Sequence, residues 1–174
     1  MLSAASLLGV VVLASASAAP EPVVKVRVGI SSGLVLSAAG SVWTTDLISP
    51  RVIRIDPATN AVVARIAVEG AGWTAASSDA VWVTTAKGLT RIDPQTNAVA
   101  ATVSLPVALG DPAVVAGNVW VPKIRQNQIA IIDPATNAVV RTLKVGAGPF
   151  VVTEIRGEAW IPSWKGRDIW RVKP

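Results

Sequence analysis

The sequence predicts an all-β fold, and this prediction rests on the composition, on a repeated tryptophan and on a repeated turn. Hydrophobic residues make up 51% of the 174 residues and charged residues only 16%, which favours a packed core over disorder. Valine, isoleucine, threonine and tryptophan are prominent, and these residue types favour strands. A chain of this length suits one domain.

Two markers recur along the chain in one register. Tryptophans in equivalent settings lie 39, 38 and 40 positions apart, at Trp43, Trp82, Trp120 and Trp160. The second marker is the tripeptide Ile-Asp-Pro, which ends at Pro57, Pro94 and Pro134 and has a degenerate fourth copy at 172–174. Two markers in a constant register indicate a repeat of about 40 residues.

Each repeat contains four predicted strands, a to d. Strand a begins after a glycine, strand b carries the tryptophan, strand c ends at Asp-Pro, and strand d follows Thr-Asn. The connection between c and d has hairpin chemistry, because proline fixes φ, Asp bonds to backbone N–H groups and Asn tolerates the left-handed conformation. A four-stranded repeat of this length is typical of a propeller blade. The sequence therefore predicts a β-propeller with four blades of four antiparallel strands.

The two ends of the chain predict how the ring closes. Residues 23–28 resemble a strand d without strands a to c, whereas residues 160–174 supply strands b and c without a following d. One blade cannot bury both of its faces alone, so blades stack on their neighbours. We therefore expect the N-terminal strand, Val23–Val28, to pair with the C-terminal blade and to close the ring.

The repeat resembles a known family. Val81–Thr85 has the sequence Val-Trp-Val-Thr-Thr and is followed by Ile-Asp-Pro-x-Thr-Asn and alternating valines. This pattern resembles the YVTN-type bacterial β-propeller repeat, a group that includes the streptogramin (virginiamycin B) lyase-like propellers, and the resemblance covers residues 22–174. Members commonly have more blades, often seven. Four blades therefore imply a minimal closed ring, a homodimer in which two chains form a larger ring, or a truncated gene.

Residues 1–18 predict a secretory signal peptide, which leaves residues 19–174 as the propeller domain. An apolar run at Leu7–Ala14 is followed by small residues, and cleavage after Ala18 satisfies the small-x-small rule. No Lys or Arg precedes the run, so either the true start lies upstream or the signal is weak. Because the run is too short to span a bilayer, we expect no membrane span and a secreted or extracytoplasmic protein, in the periplasm or at the cell surface.

The ionisable residues limit the classes of function. The chain contains neither cysteine nor histidine, so packing alone holds the domain, and the commonest general base and metal ligand is missing. The net charge is +5. No run of consecutive basic residues is present, which favours solubilising side chains over a nucleic-acid partner. We expect no nucleic acid, no metal and no cofactor.

Residues that recur in every unit are interpreted as structural. The four repeated tryptophans predict packing between blades, and the aspartates of the Asp-Pro turns predict turn capping. Arginines recur on strand c at Arg54, Arg91 and Arg171, and they predict a solvated row on an outer strand.

The residues that break the repeat predict a ligand site. Trp73 opens a strand a and Trp164 lies in a b-to-c loop, so both belong to the d-to-a and b-to-c face at the mouth of the channel. The candidate ligand-binding residues are Trp73, Asp111, Asp46, Lys87, Lys123, Arg125, Trp164 and Lys165. Aromatic surface beside hydrogen-bonding groups suits a sugar, a peptide or an anionic ligand. The alternative is ordinary loop variation around a sealed or solvent-filled axis.

The sequence favours a binding or scaffold module without catalytic residues, whose partner is a small molecule, a glycan or a peptide. The family resemblance implies an alternative, a lyase with a histidine base, a nearby acid and a divalent metal. No position can carry that base here. A metal-dependent lactone hydrolase needs converging carboxylates, and those of this chain, Asp46, Asp111, Glu69 and Glu154, come from scattered registers. No phosphate loop, dinucleotide fingerprint, serine-hydrolase elbow or zinc spacing is found.

Overall fold

A computed structural model describes residues 24–28, 31–106 and 108–174. These residues form fifteen strands and one short 3-10 helix at Ile124–Gln126. The strands are β1 (Ser32–Ala38), β2 (Ser41–Asp46), β3 (Arg51–Asp56), β4 (Ala61–Ala67), β5 (Thr74–Ala76), β6 (Val81–Thr85), β7 (Gly88–Asp93), β8 (Ala98–Ser104), β9 (Ala113–Val115), β10 (Asn118–Lys123), β11 (Gln128–Asp133), β12 (Ala138–Lys144), β13 (Thr153–Ile155), β14 (Glu158–Ser163) and β15 (Asp168–Val172).

The strands form four antiparallel sheets, which we number as blades 1 to 4. Blades 1, 2 and 3 are the sheets β1-β2-β3-β4, β5-β6-β7-β8 and β9-β10-β11-β12, and blade 4 is β13-β14-β15. The first strands of successive blades, β1, β5, β9 and β13, contact one another in that order, so they line a common axis. The predicted all-β, four-bladed propeller is therefore confirmed.

The hairpin between strands c and d has the predicted turn chemistry. In blade 1, the Asp56 carboxylate accepts hydrogen bonds from the Ala58 N–H at 2.8 Å and the Thr59 hydroxyl at 2.9 Å. Asn60 takes the left-handed conformation, with φ of 58°, which Asn tolerates better than most residues. The bond from the Ala58 N–H favours the charged carboxylate, so it holds the pKa of Asp56 below its usual range.

Each blade packs its front face against the rear face of the next blade. We define the front face as the side of a sheet toward the next blade in chain order, and the rear face as the opposite side. In blade 1 the front face presents Trp43 and Val52, which form one buried cluster with Val81, Val83 and Ile92 on the rear face of blade 2. Equivalent clusters join blades 2 and 3 and blades 3 and 4. The repeated tryptophans are therefore packing residues, as predicted.

The arginines of strand c do not form the predicted solvated row. The guanidinium carbon of Arg54 lies 5.2 Å from the centre of the Trp43 ring, and Arg91 and Arg171 stand over Trp82 and Trp160 at 5.6 and 5.5 Å. A cation over an aromatic face is attracted by the ring quadrupole. Because strand c runs beside the tryptophan strand, an arginine opposite the ring covers it.

The predicted closing strand is not found among the described residues. Val23 lies outside them, residues 24–28 belong to no strand, and blade 4 has three strands instead of four. Val26 and Val28 instead line a cavity of about 320 Å³ with residues of blade 1. That apolar face is close along the chain, whereas blade 4 is more than 120 residues away, and the entropic cost of closing a loop rises with its length.

The predicted signal peptide at 1–18 also lies outside the described residues. In the part of the chain that the structure describes, no helix is long and apolar enough to cross a membrane.

Candidate functional site

The d-to-a and b-to-c connections lie together at one end of the blades, which we call the loop face. Backbone hydrogen bonds join the two kinds of connection in each case. The Gly72 N–H donates to the Thr84 carbonyl at 2.8 Å, and the Gly110 N–H donates to the Pro122 carbonyl at 2.9 Å. In blade 4, the Lys165 N–H donates to the Ala147 carbonyl at 3.1 Å. Side chains from different blades can therefore meet at this end.

Trp73 on blade 2 contacts the phenylalanine that precedes blade 4. The rings of Trp73 and Phe150 meet edge to face, with centres 5.2 Å apart and planes at 83°, a favourable aromatic geometry. The backbone of Trp73 is held by Thr84, whose hydroxyl accepts from the Trp73 N–H at 2.9 Å. Because blade 3 lies between blades 2 and 4 in the chain order, this contact reaches across the axis.

A cavity of about 480 Å³ lies beside Trp73. Its apolar lining includes Leu34 and Leu47 of blade 1, and Leu47 is 60% exposed. The half-buried indole therefore forms one wall of an open pocket while its edge is fixed by Phe150.

Phe150 also lines a second cavity, of about 440 Å³, together with Val151, Pro162 and Trp164. Trp164 is 67% exposed, and its indole lies against the backbone of Gly148. A Cβ atom at Gly148 would stand 2.4 Å from Nε1 of Trp164. The Lys165 ammonium lies 5.5 Å from the centre of the Trp164 ring. The three aromatic residues thus form a discontinuous surface over the loop face, which we call the aromatic surface (Trp73, Phe150 and Trp164).

Asp111 is held next to Phe150 through the backbone. Its N–H donates to the Phe150 carbonyl at 2.6 Å, and its carbonyl accepts from the Val152 N–H at 3.2 Å. These bonds form a parallel bridge between the entrances to blades 3 and 4. The side chain is half-buried, and this desolvation raises the pKa of the Asp111 carboxyl.

Asp46 is a turn residue rather than an open ligand group. Its carboxylate is buried and accepts from the N–H groups of Ile48 and Ser49, each at 3.1 Å. The bond from Ser49 is the main reason that the pKa of Asp46 lies below its usual range. The same carboxylate lies 3.9 Å from the Arg51 guanidinium. Its oxygens therefore already have protein partners.

Two of the predicted cations are similarly engaged. The Lys87 ammonium pairs with Glu69 at 3.1 Å, and the Lys123 ammonium donates to the Gln128 side chain at 2.9 Å. Arg125 is exposed on the 3-10 helix. The structure thus places Trp73, Asp111, Trp164 and Lys165 around Phe150, whereas Asp46, Lys87 and Lys123 stabilise their own loops.

Sequence reasoning missed Phe150 as a site residue. It is the only phenylalanine in the chain, which is a weak signal, because one aromatic residue at the start of a strand suits core packing equally well. Only the contact across the axis shows its place beside Trp73.

The described residues contain no group of three or more His, Cys, Asp or Glu side chains that could hold a metal ion. The carboxylates of Asp46 and Asp111 come from different blades and have the different surroundings described above.

No protein-family model matches the sequence, and no curated protein matches it. Solved structures do resemble it. BamB from Moraxella catarrhalis superposes with a TM-score of 0.71 at 13% identity, over 84% of this chain and 47% of that one. Virginiamycin B lyase from Staphylococcus aureus gives a TM-score of 0.67 at 14% identity, over 82% and 55%. A streptogramin B lyase gives 0.66 at 17% identity, over 82% and 54%.

These similarities show the fold. The matched structures are β-propellers, so the chain has the architecture of the streptogramin lyase-like propellers that its repeat resembles. The chain spans about half the length of the solved structures that it matches.

Proposed function

We propose that this protein is an extracytoplasmic binding module, without catalytic activity, that holds its ligand on the loop face. The observation that carries the proposal is the aromatic surface, on which Trp73, Phe150 and Trp164 bring apolar area from two blades to one end of the fold. Two open cavities adjoin it. Concave apolar surface with a few polar groups is typical of ligand sites.

The polar groups beside this surface favour a glycan. The exposed indole of Trp164 offers a flat face on which a sugar ring can stack. Asp111 supplies a carboxylate that accepts hydrogen bonds from hydroxyl groups, and Lys165 supplies a donor next to the indole. A peptide is the second ligand class, because the same aromatic area also accepts apolar side chains.

The extracytoplasmic part of the proposal rests on the signal peptide expected at residues 1–18 and on the absence of cysteine from the sequence, which leaves folding independent of disulfide chemistry. Fractionation of cells that express the full-length gene tests it. Protein recovered only from the cytoplasm, with residues 1–18 retained, would contradict this location.

The binding proposal is tested by calorimetric titration with chitotetraose, tetra-alanine and a heparin hexasaccharide as probes. We expect saturable binding of chitotetraose, and we expect Trp164→Ala to weaken it about tenfold or more, as for exposed aromatic anchors. Trp170→Ala is the matched control, since Trp170 is 41% exposed on β15, away from the loop face. Equal affinity in the two variants would remove the aromatic surface from the proposal, and tetra-alanine binding alone would identify a peptide site.

The alternative is a lyase or lactone hydrolase, which the fold similarity to virginiamycin B lyase brings into consideration. It has less support, because this chain supplies no histidine base and no cluster of ligands for a metal is found in the described part. Incubation with a cyclic depsipeptide antibiotic and with a lactone, in the presence of Mg²⁺, tests the alternative. We expect no turnover, and sustained ring opening would replace the binding proposal.

A further inference from the structure

The interfaces between blades repeat one arrangement of side chains. In blade 2 the front face presents Trp82 and Leu89, which pack with Val119, Val121 and Ile132 on the rear face of blade 3. The pairing of strands b and c places these residues in the same register in every blade. By that register, the front face of blade 4 consists of Trp160, Ile169 and Arg171, and the rear face of blade 1 consists of Val42, Thr44 and Ile55.

The front face of blade 4 has no blade against it among the described residues. Ile169 is 66% exposed, whereas its equivalents Val52, Leu89 and Ile129 are all 0% exposed. Ile155 on the neighbouring β13 is also exposed. Apolar side chains that every inner interface buries are therefore left open to solvent on this face, which is typical of a surface that binds a partner.

The N-terminal segment (24–28) already lies where a strand d would lie. In blade 3, Val145 follows strand d and packs in the cluster at the rear of blade 4. Val145 stands eight residues before Thr153, and Val28 stands eight residues before Leu36, its counterpart opposite the repeated tryptophan. Val28 lines the cavity at the rear face of blade 1. The segment thus covers blade 1 as a strand d of a preceding blade, without the rest of that blade.

An arginine shows how the missing contact would be made. At the interface of blades 1 and 2, the Arg54 guanidinium donates to the Pro94 carbonyl at 2.6 Å and to the Asn97 side chain at 2.9 Å. Arg171 occupies the same position in blade 4, exposed and paired with Glu158 of its own blade. The turn of blade 1 offers the matching acceptors, Pro57 and Asn60, beside its rear face.

We propose that a second copy of this chain completes the ring, with the front face of blade 4 of each copy packed on the rear face of blade 1 of the other. The N-terminal segment of one copy then supplies the missing strand d of blade 4 in the other. Two such junctions related by a two-fold axis form a closed ring of eight blades. A pair of chains also has about the length of one solved propeller, since this chain spans about half of each.

The register of this junction follows from blade 3, where Ile129 lies opposite Leu143 and Gln128 lies opposite Lys144. The equivalent pairs between copies are Ile169 opposite Val26 and Asp168 opposite Arg27. One pair is apolar and the other joins opposite charges, and both kinds stabilise neighbouring strands. An extended segment that adds to a free sheet edge gains main-chain hydrogen bonds as well.

The double variant Val26→Cys, Ile169→Cys tests the junction, because the chain has no other cysteine and directly opposed residues are within reach of a disulfide. We expect oxidation of the full chain to give a covalent dimer on a denaturing gel. Val26→Cys, Val140→Cys is the control, since Val140 is exposed on β12, away from both faces. An intrachain disulfide would show instead that the ring closes within one chain, and an uncrosslinked monomer would also overturn the proposal.

The solution mass gives an independent measurement. We expect light scattering to show twice the 17.9 kDa of the chain for the wild type and for Val140→Asp, and a monomer for Ile169→Asp. Ile169 is exposed within one chain, so this substitution leaves the fold of the chain intact. A wild-type monomer at concentrations up to 100 times those used for the crosslinking would assign the open faces to blades of another polypeptide.

Discussion

Blades 1 and 4 carry the same front face in different surroundings. Trp43 in blade 1 is 0% exposed beneath blade 2, whereas Trp160 in blade 4 is only half-buried. Arg54 bonds to the turn of the next blade, whereas Arg171 turns back to Glu158 of its own blade. The comparison shows that the repeat determines the local geometry of a residue, while the neighbouring blade determines how much that residue stabilises the fold.

The largest difference is expected for the tryptophans. Trp82→Ala removes a fully buried side chain between blades 2 and 3, and we expect it to lower the free energy of unfolding by about 3–5 kcal/mol. Trp160→Ala is expected to cost clearly less in the monomer, because its ring already meets solvent. Urea unfolding of the two variants measures this, and equal losses would contradict the distinction between inner and end faces.

The arginines give a smaller difference. Arg54→Met keeps the stem over Trp43 but removes the hydrogen bonds to Pro94 and Asn97, and we expect a loss of about 1–3 kcal/mol. Arg171→Met removes only an exposed pair with Glu158, which is worth about 0–1 kcal/mol. Unfolding at protein concentrations that keep the chain monomeric provides the comparison. A cost for Arg171→Met as large as that for Arg54→Met in the monomer would refute it.

Two glycines separate backbone strain from crowding. Gly148 and Gly157 both have positive φ, at 70° and 81°, so alanine at either site costs about 1 kcal/mol in strain. Only at Gly148 does the new Cβ also meet Trp164, since nothing lies within 4 Å of it at Gly157. We therefore expect Gly148→Ala to lower stability more than Gly157→Ala and to weaken chitotetraose binding, which thermal melts and titrations measure.

The two carboxylates of the loop face are expected to respond to pH in opposite directions. Burial raises the pKa of Asp111, so the folded state holds this proton more tightly, and the contribution of Asp111 to stability falls as the pH rises above its usual pKa. Hydrogen bonds lower the pKa of Asp46, so its contribution is present above the usual pKa and is lost as the pH falls. Asp111→Asn and Asp46→Asn should therefore change the slope of stability against pH in opposite senses.

Much of the fold could be predicted, because its determinants are local and repeated. The Asp-Pro turns were predictable from Asp56 and Asn60, whose turn geometry depends on neighbours within a few residues. The placement of Trp43 and Trp82 between blades followed from their equivalent positions. The solvated arginine row was wrong, because no sequence pattern shows that a guanidinium will cross to another blade, as that of Arg54 does.

The candidate site was less predictable. Trp73 and Trp164 were found because they break the repeat, but Asp46 was included although its oxygens bond to its own turn. Phe150 was left out because its partner, Trp73, lies 77 positions away in the chain. Contacts of that kind depend on how blades are arranged around the axis, which a repeat pattern does not specify.

The sequence by itself determined that the chain is all-β, that its unit is a four-stranded blade, and where each blade begins and turns, because strand propensity and turn chemistry act over a few residues. Only the tertiary structure decided that the N-terminal segment lies on blade 1 instead of pairing with blade 4, and that Phe150 joins Trp73 across the axis. These features depend on distances between residues remote in the chain, and such distances follow from the packing of whole blades.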